Sequence, residues 1–319
     1  MENNKLRQRF VKDYNLPINV FDEKIFNYYS NLYDFFPKDK WENLKTMIDE
    51  KYDGNVEKWL EYCASVRDNA IYGVIETDKY KEFNNCDLSQ YKVSSVVGEH
   101  SCYTNETDGC LFVSIDLKKA NFQALKYVGV LDDEDYDHFI EKYDGDDYIK
   151  GSKYLRQVIF GKMNPGRTIT VEKYIMGKIM PIADEILPFD FKLYLYSQNS
   201  DELVYKQSDT WIYPDKLKEF CEKIEERVLN ELNIEVRAEY IKVTKLPIVN
   251  INGNNVDAFV RENLITNEKV LKKASTTFYP QIYKLWKNLA IEDNDLIFYF
   301  EDQLAHFNNK LIKINNGNK

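Results

Sequence analysis

Two acidic positions in this chain stand where a carboxylate must find a partner. Asp116 closes the apolar run Phe112-Val113-Ser114-Ile115 and is followed at once by a helical pattern from Leu117 to Tyr127. Asp201 and Glu202 fall between two strand-like runs, 191–198 and 203–207, in FKLYLYSQNSDELVYKQSD. That spacing predicts a hairpin with both acids at its tip. Carboxylates brought side by side from two strand ends make an anionic seat that only cations relieve. Magnesium is commonly shared between one or two such carboxylates and substrate phosphates. The plainer alternative makes Asp116 the cap of the following helix and leaves Asp201 and Glu202 as turn residues.

A phosphate-handling site also needs positive charge. Lys150, Lys153, Arg156, Lys162, Arg167, Lys173 and Lys178 crowd residues 150–180 against Glu172 alone. Leu155, Val158, Ile159 and Phe160 predict a helix ending near Gly161, with Asn164, Pro165 and Gly166 as a turn. A second helix carries Tyr174, Ile175, Ile179 and Ile182. Such a block is either a pair of amphipathic helices with lysines in water or a surface that meets phosphates. Later, VLKKASTTFYPQIYKLWKNL interleaves Lys272, Lys273, Lys284 and Lys287 with Tyr279, Tyr283 and Trp286. That mixture can stack bases and hold phosphates, or it can be the aromatic stripe of a core helix.

Around these stretches the chain is organised in three parts. Residues 1–88 read as a helical scaffold: Phe21, Ile25, Tyr29, Leu32 and Phe36 recur at helical spacing, Trp41, Leu44 and Ile48 mark a second helix, and Val56 to Tyr80 a longer one. Residues 89–240 form a core, with YKVSSVV as a strand, HSCYTNETDGC as a loop, and a helix from Pro214 carrying Leu217, Phe220, Ile224 and Val228. Residues 241–319 form a C-terminal α/β extension, ending in a loose tail, NNKLIKINNGNK. The expected class is α+β: a helical N-terminal region plus an antiparallel or mixed sheet flanked by helices. The acidic run LDDEDYDHFIEKYDGDD lacks the ordered ligand positions of an EF-hand loop and reads as a solvated face.

The net charge of −10 excludes binding through a uniformly basic surface, but a local basic cleft is compatible with it. Five cysteines without CxxC spacing, scattered histidines, and no apolar leader or membrane-length run predict a soluble, cytoplasmic protein with reduced thiols and no membrane partner. The abundance of Asn, Lys, Ile and Tyr suits an AT-rich genome, bacterial or viral.

In chain order, SIDLKKANFQAL, then LRQVIFGKMNPGR, then YSQNSDELVY resembles the palm of right-hand nucleic-acid polymerases, and family A DNA polymerases most of all. The likeness covers residues 110 to about 240. It implies that Asp116 and Asp201 hold two Mg2+ (or Mn2+) ions, with Glu202 assisting or orienting a primer end. It implies further that Arg156, Lys162 and Arg167 contact a nucleoside triphosphate, and that Asn121, five residues after the first aspartate, lies beneath the incoming sugar. The activity it implies is polymerase-like nucleotidyl transfer to a nucleic-acid end, single-stranded or primed. Ser200 stands where that family has histidine, which leaves a second reading: a catalytically inactive palm-like protein of a virus or mobile element that binds nucleic acid or a protein. A two-metal nuclease would use the same carboxylates.

Overall fold

The structure, a computed structural model, describes residues 2–18, 22–187, 193–208, 214–300 and 303–314. The class is α+β. The N-terminal helical pattern resolves into α1 (Glu2–Asp13), α2 (Glu23–Leu32), α3 (Lys38–Tyr52), α4 (Val56–Ile75) and α5 (Asp78–Asn85). Phe21, which opens the first of those patterns, lies outside the described residues. The boundaries have local causes. Asp22 accepts from the N–H groups of Lys24 and Ile25, Asn55 from Lys58, and Thr77 from Tyr80. Each side chain satisfies an N–H that a helix start leaves without a partner. The cap at Thr77 is why the expected helix from Val56 to Tyr80 is two helices.

The sheet begins with β1 (Leu111–Leu117), continues through the hairpin β2 (Leu193–Gln198) and β3 (Glu202–Gln207), and returns as β4 (Val236–Lys245). Beyond a short β5 (Ile248–Val249), β6 (Phe259–Asn263) and β7 (Lys269–Lys272) complete it. The strand order is β2-β3-β1-β4-β6-β7, and neighbours are antiparallel. Between β1 and the hairpin lie α6 (Ala120–Tyr127), α7 (Tyr136–Glu141), α8 (Asp147–Gly151), α9 (Lys153–Gly161) and α10 (Pro165–Ile186), and α11 (Pro214–Leu232) leads into β4. The first four strands and their helices therefore make a β-α-β-β-α-β unit.

Alternation along β1 decides what each face of the sheet does. Val113, Ile115 and Leu117 join the main core with Phe122 and Leu125 of α6, Val171 and Ile175 of α10, and Ile224 and Val228 of α11. That core continues without a break into Phe10, Phe26 and Trp59 of the N-terminal helices. Phe112 points the other way, into a smaller cluster with Val204, Ile241, Val243 and Phe259. Asp116, on Phe112's face, emerges beyond that cluster.

Two expectations are corrected. Tyr91 to Val97 is not a strand: Tyr91 closes a short 3-10 turn and Lys92 to Val97 run on as irregular chain. Its backbone finds side chains instead of a ladder, Val96 N–H donating to Gln198 Oε1 and His100 N–H to Ser197 Oγ. Nor is the C-terminal stretch loose as far as residue 314. After α12 (Tyr279–Trp286) and the hairpin β8 (Ile297–Phe300) and β9 (Gln303–His306), β10 (Ile312–Lys313) pairs with β5, and Leu311 is buried with its N–H on Gln281 Oε1. Residues 315–319 lie outside the described residues. No described helix is long and apolar enough to cross a membrane.

Candidate metal and nucleotide site

Asp116 does not cap the helix that follows it. The N-cap position of α6 is Lys119, in the left-handed region at φ 50°, and no side chain caps it. The carboxylate of Asp116 faces other charges instead. In the ladder it stands opposite Glu202 of β3 on one side and Arg237 of β4 on the other. The hairpin tip is fixed to the strand end by the Leu117 N–H, which donates to the Asp201 carbonyl at 2.8 Å. Ser114 Oγ donates to Glu202 Oε1 at 2.6 Å, and Ser200 Oγ lies 3.4 Å from Asp201 Oδ1. The strand end and the hairpin tip, far apart in sequence, thus meet as one acidic corner.

Its electrostatics follow from that crowding. Burial pushes the Asp116 carboxyl up to about 6; Glu202, Asp201 and Glu239 push the same way, and Arg237 opposes them. Arg237 Nη2 lies 3.3 Å from Asp116 Oδ2. The corner opens into a cleft of about 570 Å³ lined by Asp116, Asp201, Asn121, Lys153, Arg156 and Arg237 among others. The far wall is α9. Ser152 caps this helix by accepting from Leu155 N–H, Leu155 and Ile159 are buried, and Lys153, Arg156, Gln157 and Phe160 run along the cleft at helical spacing. Arg156 stacks over the Tyr136 ring at 5.5 Å. Among the described residues neither Lys153 nor Arg156 has an ion-pair partner, whereas Lys118 pairs with Glu235 and Lys119 with Asp137.

Most of the remaining sequence candidates go elsewhere; Lys272 stays within electrostatic reach of Lys153, Glu202 and Arg237. Lys162 is exposed at the C-terminal end of α9 and does not line the cleft. Arg167 is spent on structure: its Nη2 donates to the Cys86 carbonyl at 2.6 Å and its guanidinium covers Phe83 at 5.3 Å, tying α10 to the end of α5. Lys272 extends on the sheet face shared with Phe259, its cross-strand partner; the surrounding protein, then Arg261 and Lys153, hold its ammonium below the usual lysine value. Lys273 is exposed in the left-handed region at φ 54°.

Lys287 pairs with Asp34 at 2.6 Å over the Trp286 ring. Lys284 is 3% exposed and bonds Asp295 at 2.9 Å and Glu292 at 3.1 Å. Burial alone would lower its ammonium, but bonds to Tyr28, Asp295 and Glu292 outweigh it and hold it well above the usual value. Lys284→Met should therefore cost about 2–4 kcal/mol of folding stability, because it leaves the fully buried Asp295 unpaired. Urea denaturation measures this; an unchanged midpoint would contradict it.

Glu172 is the residue that sequence reasoning passed over. It was visible only as the lone acid in a basic block. It is 3% exposed on α10 and accepts from Asn121 Nδ2 at 2.7 Å, so it orients an amide that lines the cleft. Burial, and then Asp201, push its carboxyl up to about 7, while the Asn121 bond pulls it down. A carboxyl raised in the folded state contributes stability below its unfolded pKa and loses it as pH rises through about 7. Glu172→Gln should accordingly match the wild type near pH 5 and exceed it by about 1–3 kcal/mol at pH 8.5. Thermal melts at the two pH values check this; a variant less stable at pH 8.5 would refute it.

The donor set fits a hard divalent cation: oxygen ligands from two strand ends, a carboxyl whose proton affinity is already raised, and an open side. Among the described residues no group of three or more His, Cys, Asp or Glu side chains is arranged to hold an ion unaided. A cation here would complete its shell with water or phosphate oxygens. No protein-family model matches the chain, and no curated protein matches it.

Proposed function

We propose that this protein is a metal-dependent nucleotidyltransferase, polymerase-like, that adds nucleotides to a nucleic-acid end on a palm-like sheet. The observation that carries the reading is the register of β1 and β3: it brings Asp116 beside Glu202 and the hairpin-tip Asp201, and Asp116 and Asp201 line a cleft together with Lys153 and Arg156. A palm requires that meeting of a strand-end aspartate with a hairpin-tip aspartate. Capping and turn roles do not require it.

In this reading Asp116 and Asp201 are the metal ligands for Mg2+ or Mn2+. The bound cations would lower the pKa of a 3′ hydroxyl and hold the departing pyrophosphate. Lys153 and Arg156 bind the triphosphate and neutralise charge as it builds on the leaving group. Ser114 holds the Glu202 carboxylate on the sheet face it shares with Asp116, from where it orients the primer end. The Asn121 amide, fixed by Glu172, meets the sugar, and an amide can bond a 2′ hydroxyl. A cytoplasmic, reducing setting belongs to the proposal, since all five cysteines carry free thiols.

Incubation with a 5′-labelled oligonucleotide, nucleoside triphosphates and Mg2+ or Mn2+ tests it. Products longer than the label support the transferase. Shortened products mean a nuclease built on the same carboxylates. An intact strand, bound equally well with the metal chelated, favours the non-catalytic reading, for which Ser200 and the Arg237–Asp116 pair are the supporting observations.

A further inference from the structure

The arginine at the acidic corner has two carboxylate neighbours of different kinds. Arg237 Nη2 is 3.3 Å from Asp116 Oδ2, and its Nε is 3.3 Å from Glu239 Oε2. Glu239 is buried and already held from its other side, by Arg261 Nη2 at 2.5 Å and Asn263 Nδ2 at 2.9 Å. Arg261 above all, with Arg237 and Asn263 adding to it, keeps its carboxyl below the usual range even against burial. Glu239 therefore keeps its principal countercharge, Arg261, when Arg237 is drawn away. Asp116 has no such reserve: among the described residues Arg237 is its one ion-pair partner, and Glu202, Asp201 and Glu239 all crowd it with like charge. The Arg237 side chain is half exposed, at 55%, so it can leave Asp116 while its Glu239 contact stays.

We infer that Arg237 is the resident countercharge of the Asp116 seat, and that a divalent cation and the Arg237 guanidinium exclude one another there. The inference rests on the metal-site reading given above and adds a regulation of that site. Two positive charges against one, at hydrogen-bonding separation, repel even in a water-like dielectric. A cation arriving at Asp116 must displace the guanidinium, so metal alone binds weakly. The displaced guanidinium keeps its Glu239 anchor and becomes free for an anion. The site then favours a cation that arrives together with phosphate, whose oxygens supply further ligands.

The test is titration of the full-length protein with Mn2+ alone at pH 8, where the Asp116 carboxyl is ionised, following free Mn2+ by its paramagnetic resonance signal. Arg237→Gln should bind Mn2+ roughly three- to tenfold tighter than the wild type, the size expected when a nearby like charge is removed. Lys45→Gln, the same charge change out on α3, should bind as the wild type does. The gain should vanish when Asp116→Asn is added to Arg237→Gln. Equal or weaker Mn2+ binding by Arg237→Gln, with Asp116-dependent binding in the wild type, overturns the inference and leaves the metal seat standing. Mn2+ binding that is absent from the wild type and Arg237→Gln alike, or indifferent to Asp116→Asn in both, overturns the seat and the inference together.

Discussion

Asparagine at position 116 or 201 is expected to reduce nucleotide incorporation by roughly a thousandfold or more, the scale of losing a group that stabilises charge in the transition state. The fold should survive. Asp116 is not a helix cap, and its carboxyl is held up near 6 by burial and by its acidic neighbours. Because that pKa is raised, the residue's stabilising contribution is present below about pH 4 and lost as pH rises through about 6. Removing the charge should relieve the fold at pH 8 by up to about 1 kcal/mol, discounted because the side chain is a third exposed to screening solvent. Asp116→Asn should therefore be inactive and melt no earlier than the wild type at pH 8. Early unfolding of both variants would make the carboxylates structural, and retained incorporation would remove them from the chemistry.

The second large effect lies in the N-terminal helices, which carry none of the candidate chemistry. Asp13 is fully buried, and its carboxylate accepts from Arg9 Nε at 2.9 and 3.0 Å, Tyr148 Oη at 2.7 Å and Ser152 Oγ at 2.6 Å. Ser152 is in turn the N-cap of α9. One carboxylate thus joins the end of α1 to the start of the helix that brings Lys153 and Arg156 to the cleft. Asp13→Ala leaves Arg9 without its ion pair and Tyr148 and Ser152 without an acceptor. The expected loss is about 3–5 kcal/mol of stability, the scale for breaking a buried pair from one side. Chemical denaturation measures it. A loss below about 1 kcal/mol would mean that water or a neighbouring group replaces the carboxylate.

The elements that hold the site were legible where a local signal was enough. The apolar run before Asp116 and the polar NSDE between two alternating runs gave β1 and the β2–β3 hairpin, and Pro165 and Pro214 stand at the starts of α10 and α11. What failed depended on partners that only the fold brings together. Lys284 looked available because the acids that bind it, Glu292 and Asp295, come from the turn after α12. Arg167 looked like a phosphate ligand, but its acceptor is a backbone carbonyl on another helix. Glu172 passed unnoticed because its meaning comes from Asn121 on α6. Tyr91 to Val97 carries strand-like residues, yet the donors at Val96 and His100 are taken by side chains of β2, where the ladder of β2 and β3 shifts register between Leu195 and Ser197. Arg237 and Glu239 stand in IEVRAEYIKVTKL, an ordinary strand pattern, and only the register of β4 against β1 gives them a role.

The central claim is that Asp116 and Asp201 together form a seat for divalent metal that a nucleoside triphosphate completes. Calorimetric titration of Mn2+ into the wild type, Asp116→Asn and Asp201→Asn, each with a nucleoside triphosphate present, tests this most directly. The account predicts metal binding coupled to the triphosphate in the wild type and lost in both variants. Wild-type protein that binds no Mn2+ under these conditions, or variants that bind it as the wild type does, would contradict it.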